Sequence, residues 1–269
     1  MNEGSSVTTA GQRGLSGYCL KMIAVVTMFV DHTAATILLR MLEQMPSWGP
    51  ISADNYAIWR SVYLCMRGIG RMAFPIYCYL LVEGFTHTRN RAKYALRLFI
   101  FAMLSEVPFD MAFQKSFFDL SYNNVFLTLL IGLLTIWGIH EVRIYGGTDK
   151  SEEQFSFIEE ILRVLFMTTI TFVGCVAAEL LHTDYGASGI IAILILYLFY
   201  ERRLQGFGLM VLSLGLLAGE LEFVAFLMLI PIYYYNGTRG KQKKYFFYAF
   251  YPIHLLVLSL ICLALGLGV

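Results

Sequence analysis

The chain has 269 residues, of which 58% are apolar and only 14% charged, and its net charge is +1. Soluble globular proteins are about 45–50% apolar and about 25% charged, so this composition excludes a fold that depends on a polar surface. The near-neutral charge gives no footing for a nucleic-acid partner.

Apolar runs recur from end to end and predict an all-α polytopic protein embedded in the lipid bilayer. Nine spans are expected, at about 18–39, 61–82, 94–111, 123–140, 158–180, 187–200, 206–219, 222–235 and 246–267, the sixth to eighth being short for a helix that needs about 20 residues. Residues 1–17, rich in Gly, Ser and Thr, read as a disordered cytoplasmic leader. Residues 18–269 read as one transmembrane domain.

The first span, LKMIAVVTMFVDHTAATILL (20–39), carries Lys21 at its start and Asp31 and His32 near its middle. An ionisable residue at that depth costs roughly 2.5–3.5 kcal/mol on insertion scales, so such a group usually faces inward and is used. The second span brings Arg67, Arg71, Pro75 and Glu83. Arg89, Arg91, Lys93 and Arg97 follow it. The third span holds Glu106, Pro108 and Asp110, and the fourth begins with Asn124 and Thr128 on one face. The polar loop 141–155 separates this charged front half from an apolar back half. Glu179, Asp184, Tyr185 and Glu220 mark outer span ends, and the last span contains Pro252 and His254. The three prolines are expected to kink their helices and free carbonyls near the charged layer.

Loop cations give the orientation. With the N-terminus inside, fourteen Lys and Arg fall on the inner side: Arg13, Lys21, Arg89, Arg91, Lys93, Arg97, Arg143, Lys150, Arg202, Arg203, Arg239, Lys241, Lys243 and Lys244. Only Arg40, Arg60 and Lys115 fall outside, so the N-terminus is expected inside and the C-terminus outside. At about 1.5 Å per residue, His32 stands about 16 Å from the inner surface, Arg71 and Glu106 about 18 Å, and His254 about 14 Å. Four helices thus deliver ionisable groups to one layer. Asp31 and His32, as sequence neighbours, point about 100° apart on a helix and do not form a direct pair. Glu106 from another helix is therefore the expected carboxylate partner of His32. No HExxH or CxxC spacing, Gly-rich phosphate loop or GxSxG elbow is present, so no metal is expected. The five cysteines lie inside apolar runs and are expected as buried free thiols.

The stretches LKMIAVVTMFVDH (20–32), GRMAFPIYCYLLVEGFTHTRN (70–90), YALRLFIFAMLSEVPFD (94–110), NNVFLT (123–128), DYGASG (184–189) and YPIHLL (251–256) together resemble the TraX-like family of membrane acetyltransferases. That family is similar in turn to broader transmembrane acyltransferases that carry a basic residue, ten residues and a histidine; Lys21 and His32 match this spacing. Arg67 and Arg71 resemble the arginine pair of those relatives with looser spacing. The resemblance implies a bacterial inner-membrane enzyme with acetyl-CoA as acyl donor and a polar acceptor, a protein N-terminus or a sugar. It implies His32 as general base, with Asp31, Glu106 and Arg71 completing the catalytic set. Lys21, Arg67, Arg71, Arg89 and Arg97 are then expected on the donor, and Glu83, Asp110, Asn124, Asp184, Tyr185 and His254 on the acceptor. Two other classes compete: a proton-coupled transporter using Asp31, Glu106 and His254 as a relay, and a non-catalytic envelope-assembly protein.

Overall fold

α1 (Gly17–Thr33) starts where the Ser16 side chain accepts the backbone N–H of Cys19, as a serine N-cap does. The helix continues past Thr33 through a π-helical turn, Ala34–Leu38, into α2 (Leu39–Glu43), making one rod from Gly17 to Glu43. Such turns are frequent at functional sites. This one begins two residues after His32, and the His32 carbonyl accepts the Thr36 hydroxyl at 2.6 Å. The computed structural model describes residues 14–44, 51–145, 157–241 and 244–268. Most of the expected leader (1–13), Lys150 and Lys243 lie outside the described residues.

The second expected span is two helices, α3 (Tyr56–Gly70) and α4 (Ala73–His87), interrupted at Arg71 and Met72. Gly68 and Gly70 weaken the end of α3. Pro75 has no N–H to offer the Arg71 carbonyl and so fits only the first turn of a new helix. The break places Arg71 where its side chain leaves the helix axis. Gly70 is needed for a second reason: a Cβ there would lie 2.2 Å from the Cβ, Cγ and Oδ1 atoms of Asp31. We expect Gly70→Ala to push α3 away from α1 and to cost about 1–3 kcal/mol, as overpacking does. Thermal unfolding in nanodiscs reads this directly, and an unchanged midpoint would refute the close approach.

α5 (Arg91–Phe109) contains Pro108 and runs into a second π turn, Asp110–Gln114, that ends at Lys115 in the left-handed region. α6 (Val125–Tyr145), α7 (Phe157–Leu180), α8 (Gly186–Leu198) and α9 (Arg203–Leu217) follow. The segment expected as the eighth span is a 3-10 helix, Glu220–Met228, continued by the short α10 (Leu229–Tyr233). Its rise of about 2.0 Å per residue lets so few residues reach about 25 Å in all. α11 (Lys244–Ala264) closes the chain with Pro252 inside it.

Gly17–Glu43, Val125–Ile144, Phe157–Leu180 and Tyr245–Ala264 are long and apolar enough to cross a membrane. With its all-helical architecture, the chain is by length and composition a multi-pass membrane protein. Its packing agrees: α7 leaves Phe157, Ile161, Leu165, Phe166, Phe172 and Val173 exposed, an apolar surface far larger than water tolerates. The interior is filled by inward residues of α1, α4, α6, α8 and α9, among them Leu20, Ala24, Phe74, Ile76, Leu133, Ile193, Phe207 and Met210. Cys65 departs from the buried-thiol expectation and is exposed on α3, whereas Cys78 and Cys262 are buried.

Three clips set the ends of the bundle. Leu15 pairs with the strand-like segment before α11, donating to the Tyr234 carbonyl at 2.8 Å and accepting from Asn236 at 2.9 Å. This seats the start of α1 against residues 235–241. At the other end Asn123 donates its backbone N–H to the His182 carbonyl at 2.9 Å and its side-chain amide to that of Leu181 at 2.6 Å. That contact brings Tyr122 beside Asp184. Arg40, expected as an outer-loop cation, is buried; it donates to the carbonyls of Met111 (3.0 Å), Ala112 (2.7 Å) and Gly268. It thereby satisfies carbonyls that the second π turn leaves free.

Candidate functional site

Two cavities open along α1, one beside its first turn and one beside its centre. The first, about 810 Å³, is lined by Lys21, His87, Arg89, Lys93, Arg97, Arg239 and Lys241, with Glu83 as its acid. Its cations come from α1, from the end of α4, the α4–α5 connection and the first turns of α5, and from the loop before α11. Lys21 also lies over the Phe247 ring, 5.5 Å from its centre, and Arg97 has a buried Nε without a hydrogen-bond partner. Arg91 serves elsewhere: it bridges α5 to α6 through Glu141 at 2.9 Å and His140 at 2.6 Å. Glu83 is held by the Tyr235 hydroxyl.

The second cavity, about 750 Å³, is lined by Asp31, His32, Arg67, Arg71, Glu179, Asp184, Tyr185 and Glu222. Met28, Tyr77, Val125 and Tyr251 line both cavities. They form a shared wall, one helical turn below His32 on α1. A basic chamber and a histidine chamber therefore meet inside the bundle.

Within the histidine chamber Asp31 binds two arginines. Arg67 approaches its Oδ1 at 2.8 Å, and Arg71 its two oxygens at 3.2 and 3.1 Å. Arg71 also reaches Glu222 at 3.1 Å. Asp31 and Glu222 are buried and the two arginines partly so, and the two acids on Arg71 fix its planar guanidinium in one orientation. Arg67 and Arg71, expected on the donor, thus lie across the wall from the basic chamber and are tied to Asp31. At the mouth the Tyr122 hydroxyl donates to Asp184, and Tyr185 stacks on Phe74 with ring centres 3.6 Å apart. Burial pushes the Asp184 carboxyl above its usual range, while the Tyr122 bond and Arg71 pull it down.

His32 has a partner that the sequence reading did not assign to it. Its Nδ1 lies 2.7 Å from Nε2 of His254 on α11, and Nδ1 of His254 lies 2.7 Å from the Phe250 carbonyl. Phe113, from the second π turn, packs edge-on against His32 with centres 5.3 Å apart. Glu106, the expected partner, makes no hydrogen bond to His32. Its Oε2 accepts from Asn124, whose amide also donates to the Ala102 carbonyl at 2.9 Å. Neither residue lines a chamber; the pair joins α5 to the start of α6. Asp110 is fully buried and receives the Asp119 backbone N–H at 2.8 Å, so it holds a loop rather than facing a cavity. Glu222 is not among the expected site residues, because it stands at the start of the expected eighth span and lacks the mid-span signal of Asp31.

With this arrangement in place, comparison with known proteins decides the family. The family described as TraX protein matches residues 16–262. The chain belongs to the TraX family. A curated relative, the probable fimbrial assembly protein FimC, serogroup H1, of Dichelobacter nodosus, is 28% identical over 268 residues, covering 90% of this chain and 94% of its own. No solved structure matches. Within this TraX-family chain the match spans both chambers, from the first turn of α1 to Cys262 on α11.

Proposed function

We propose that this TraX-family protein is an integral membrane acetyltransferase that moves an acetyl group from cytosolic acetyl-CoA to a hydroxyl or amine acceptor. One observation carries the reading: a chamber rich in fixed cations adjoins, across a wall of four side chains, a chamber that holds a histidine beside an anchored arginine. The cations suit the phosphates of the donor. The rise of about 16 Å from Lys21 to His32 matches the extended reach of a pantetheine arm. In the histidine chamber a neutral His32 takes the proton of the acceptor as its oxygen or nitrogen attacks the thioester carbonyl. Arg71 stabilises the charge that develops on the carbonyl oxygen. The carbon–sulfur bond then breaks, and His32 returns the proton to the departing thiolate.

Topology follows the same reading. Counting α3–α4 as one crossing and the 3-10 helix with α10 as another gives nine, with the N-terminus and the basic chamber in the cytoplasm and the C-terminus outside. The protein would reside in a bacterial cytoplasmic membrane as a single domain over 18–269. The acceptor chamber holds Asp184 and Glu179 besides the ion-paired Asp31 and Glu222, which favours an amine that arrives as its ammonium, gives one proton to solvent and attacks as the neutral amine. A surface-fibre subunit is the acceptor suggested by the name of the fimbrial assembly relative. That name also favours a second reading, a non-catalytic assembly factor.

Turnover of labelled acetyl-CoA by purified protein in nanodiscs, with peptide amines and envelope glycans as acceptors, tests the proposal. The expected result is CoA release coupled to label on an acceptor; failure to bind the donor would overturn it. Arg97→Gln and Arg239→Gln are each expected to raise the KM for acetyl-CoA about tenfold, equivalent to about 1.4 kcal/mol. The kcat should stay within a few-fold, because these contacts are the same in ground and transition states. A fall in kcat at constant KM would take these arginines off the donor.

A further inference from the structure

We infer that His254 is a positioning residue that holds His32 in the Nδ1–H tautomer and leaves Nε2 of His32 as the atom that carries the transferred proton. The inference rests on the acyltransferase reading for its consequence but on hydrogen-bond chemistry for its content. A carbonyl oxygen only accepts. The 2.7 Å contact between Nδ1 of His254 and the Phe250 carbonyl therefore places a proton on that nitrogen. A neutral imidazole carries one ring proton, so Nε2 of His254 has a lone pair. The 2.7 Å contact from that lone pair to Nδ1 of His32 then requires the proton to sit on His32. His32, neutral in turn, is left with its lone pair on Nε2.

The geometry supports a directed bond rather than ring stacking. A linear, in-plane N–H···N bond of this length sets two imidazole centres about 5 Å apart. The centres are 4.9 Å apart and the planes differ by 6°. An imidazolium at His254 would invert the argument, but a buried cation needs a compensating anion. Among the described residues the partners of His254 are His32, the Phe250 and Tyr251 backbone and the rings of Phe29, Phe250 and Tyr251; none is a carboxylate. Nε2 of His32 is bonded to no protein group among the described residues. His32 lines the histidine chamber, whereas His254 lines neither cavity.

The carbonyl, His254 and His32 thus form a relay of orientation, in which an uncharged ring takes the place a carboxylate occupies beside the histidine of a hydrolase triad. During transfer the acceptor's proton moves to Nε2 of His32 as the new carbon–nitrogen or carbon–oxygen bond forms. The carbon–sulfur bond breaks, and the same proton leaves on the CoA thiol. Both rings end neutral, as they began.

Nitrogen-15 spectra of the full-length protein in nanodiscs, with labelled histidine and His32→Gln used for assignment, test the tautomer directly. The expected spectrum has a protonated Nδ1 and an unprotonated Nε2 on His32, with a protonated Nδ1 on His254. A protonated Nε2 on His32 would overturn the inference whatever the activity. In kinetics, His254→Leu removes the acceptor for the Nδ1 proton and is expected to lower kcat about 10²-fold with little change in the KM for acetyl-CoA. His254→Gln, whose side-chain oxygen still accepts, should recover at least tenfold of that loss. A His254→Leu enzyme with wild-type kcat would also overturn the inference. A wild-type protein with the expected spectrum and no turnover with any acceptor would leave the tautomer assignment standing and bring down the acyltransferase reading instead.

Discussion

His32→Ala is expected to abolish acetyl transfer, lowering kcat by about 10²–10⁴-fold or more, while acetyl-CoA still binds with near wild-type affinity. The split follows from the division into chambers. The fixed cations of the donor chamber come from α1 below Met28, from the α4–α5 connection and the first turns of α5, and from residues 239–241, and none of them lines the histidine chamber. The imidazole is a proton acceptor of the histidine chamber with its Nε2 uncommitted, whereas Asp31 is occupied by Arg67 and Arg71, Glu222 by Arg71, Asp184 by the Tyr122 hydroxyl and Glu179 by the Ala187 N–H. Removing the ring leaves Nε2 of His254 without a donor, at a cost of about 1–3 kcal/mol, so the variant should remain folded. The measurement is donor binding by equilibrium dialysis beside CoA release under saturating acceptor. Retained turnover would remove His32 from the chemistry and leave the assembly-factor reading in its place.

The charged layer was legible in the sequence because lipid makes an ionisable residue costly wherever it stands. Asp31, His32 and Arg71 are conspicuous for that reason, and loop cations located the basic end of the bundle. Helix rise gives height, and the heights of His32 and His254 agree to about 2 Å. Height does not give azimuth. Which neighbour His32 meets depends on how α1 packs against α11 and on two π turns, and an extra residue in a helix turns everything beyond it. Glu106 stands at the same height but faces Asn124. Arg40 departs from expectation for the same reason: its place in the sequence is an outer span end, but the carbonyls freed at the second π turn draw its side chain inward. Glu222 escaped notice because it lies in a short span, where an end-of-helix acid reads as hydrated. The 3-10 geometry that lets this segment span a greater distance also carries Glu222 to Arg71.

Arg71→Met separates what the buried ion pairs do for folding from what the guanidinium does for chemistry. Asp31 keeps Arg67 at 2.8 Å in this variant. Glu222 keeps nothing: its Oε1 loses Arg71, and its Oε2 is already buried without a hydrogen-bond partner. Removing one member of a buried pair costs about 3–5 kcal/mol, mostly through the stranded charge, whereas replacing both members by apolar groups is close to neutral. Arg71→Met should therefore lower both stability and kcat. The double variant Arg71→Met with Glu222→Leu should recover most of the stability, a coupling expected between residues in direct contact. The kcat should remain about 10²–10³-fold down, the loss typical when a donor to a developing oxyanion is removed. Thermal unfolding and steady-state turnover, measured on the wild type, both single variants and the double variant, resolve the two effects. If kcat returned together with stability, Arg71 would be a structural partner only, and the oxyanion would need another donor from the same chamber, with Arg67 the nearest candidate.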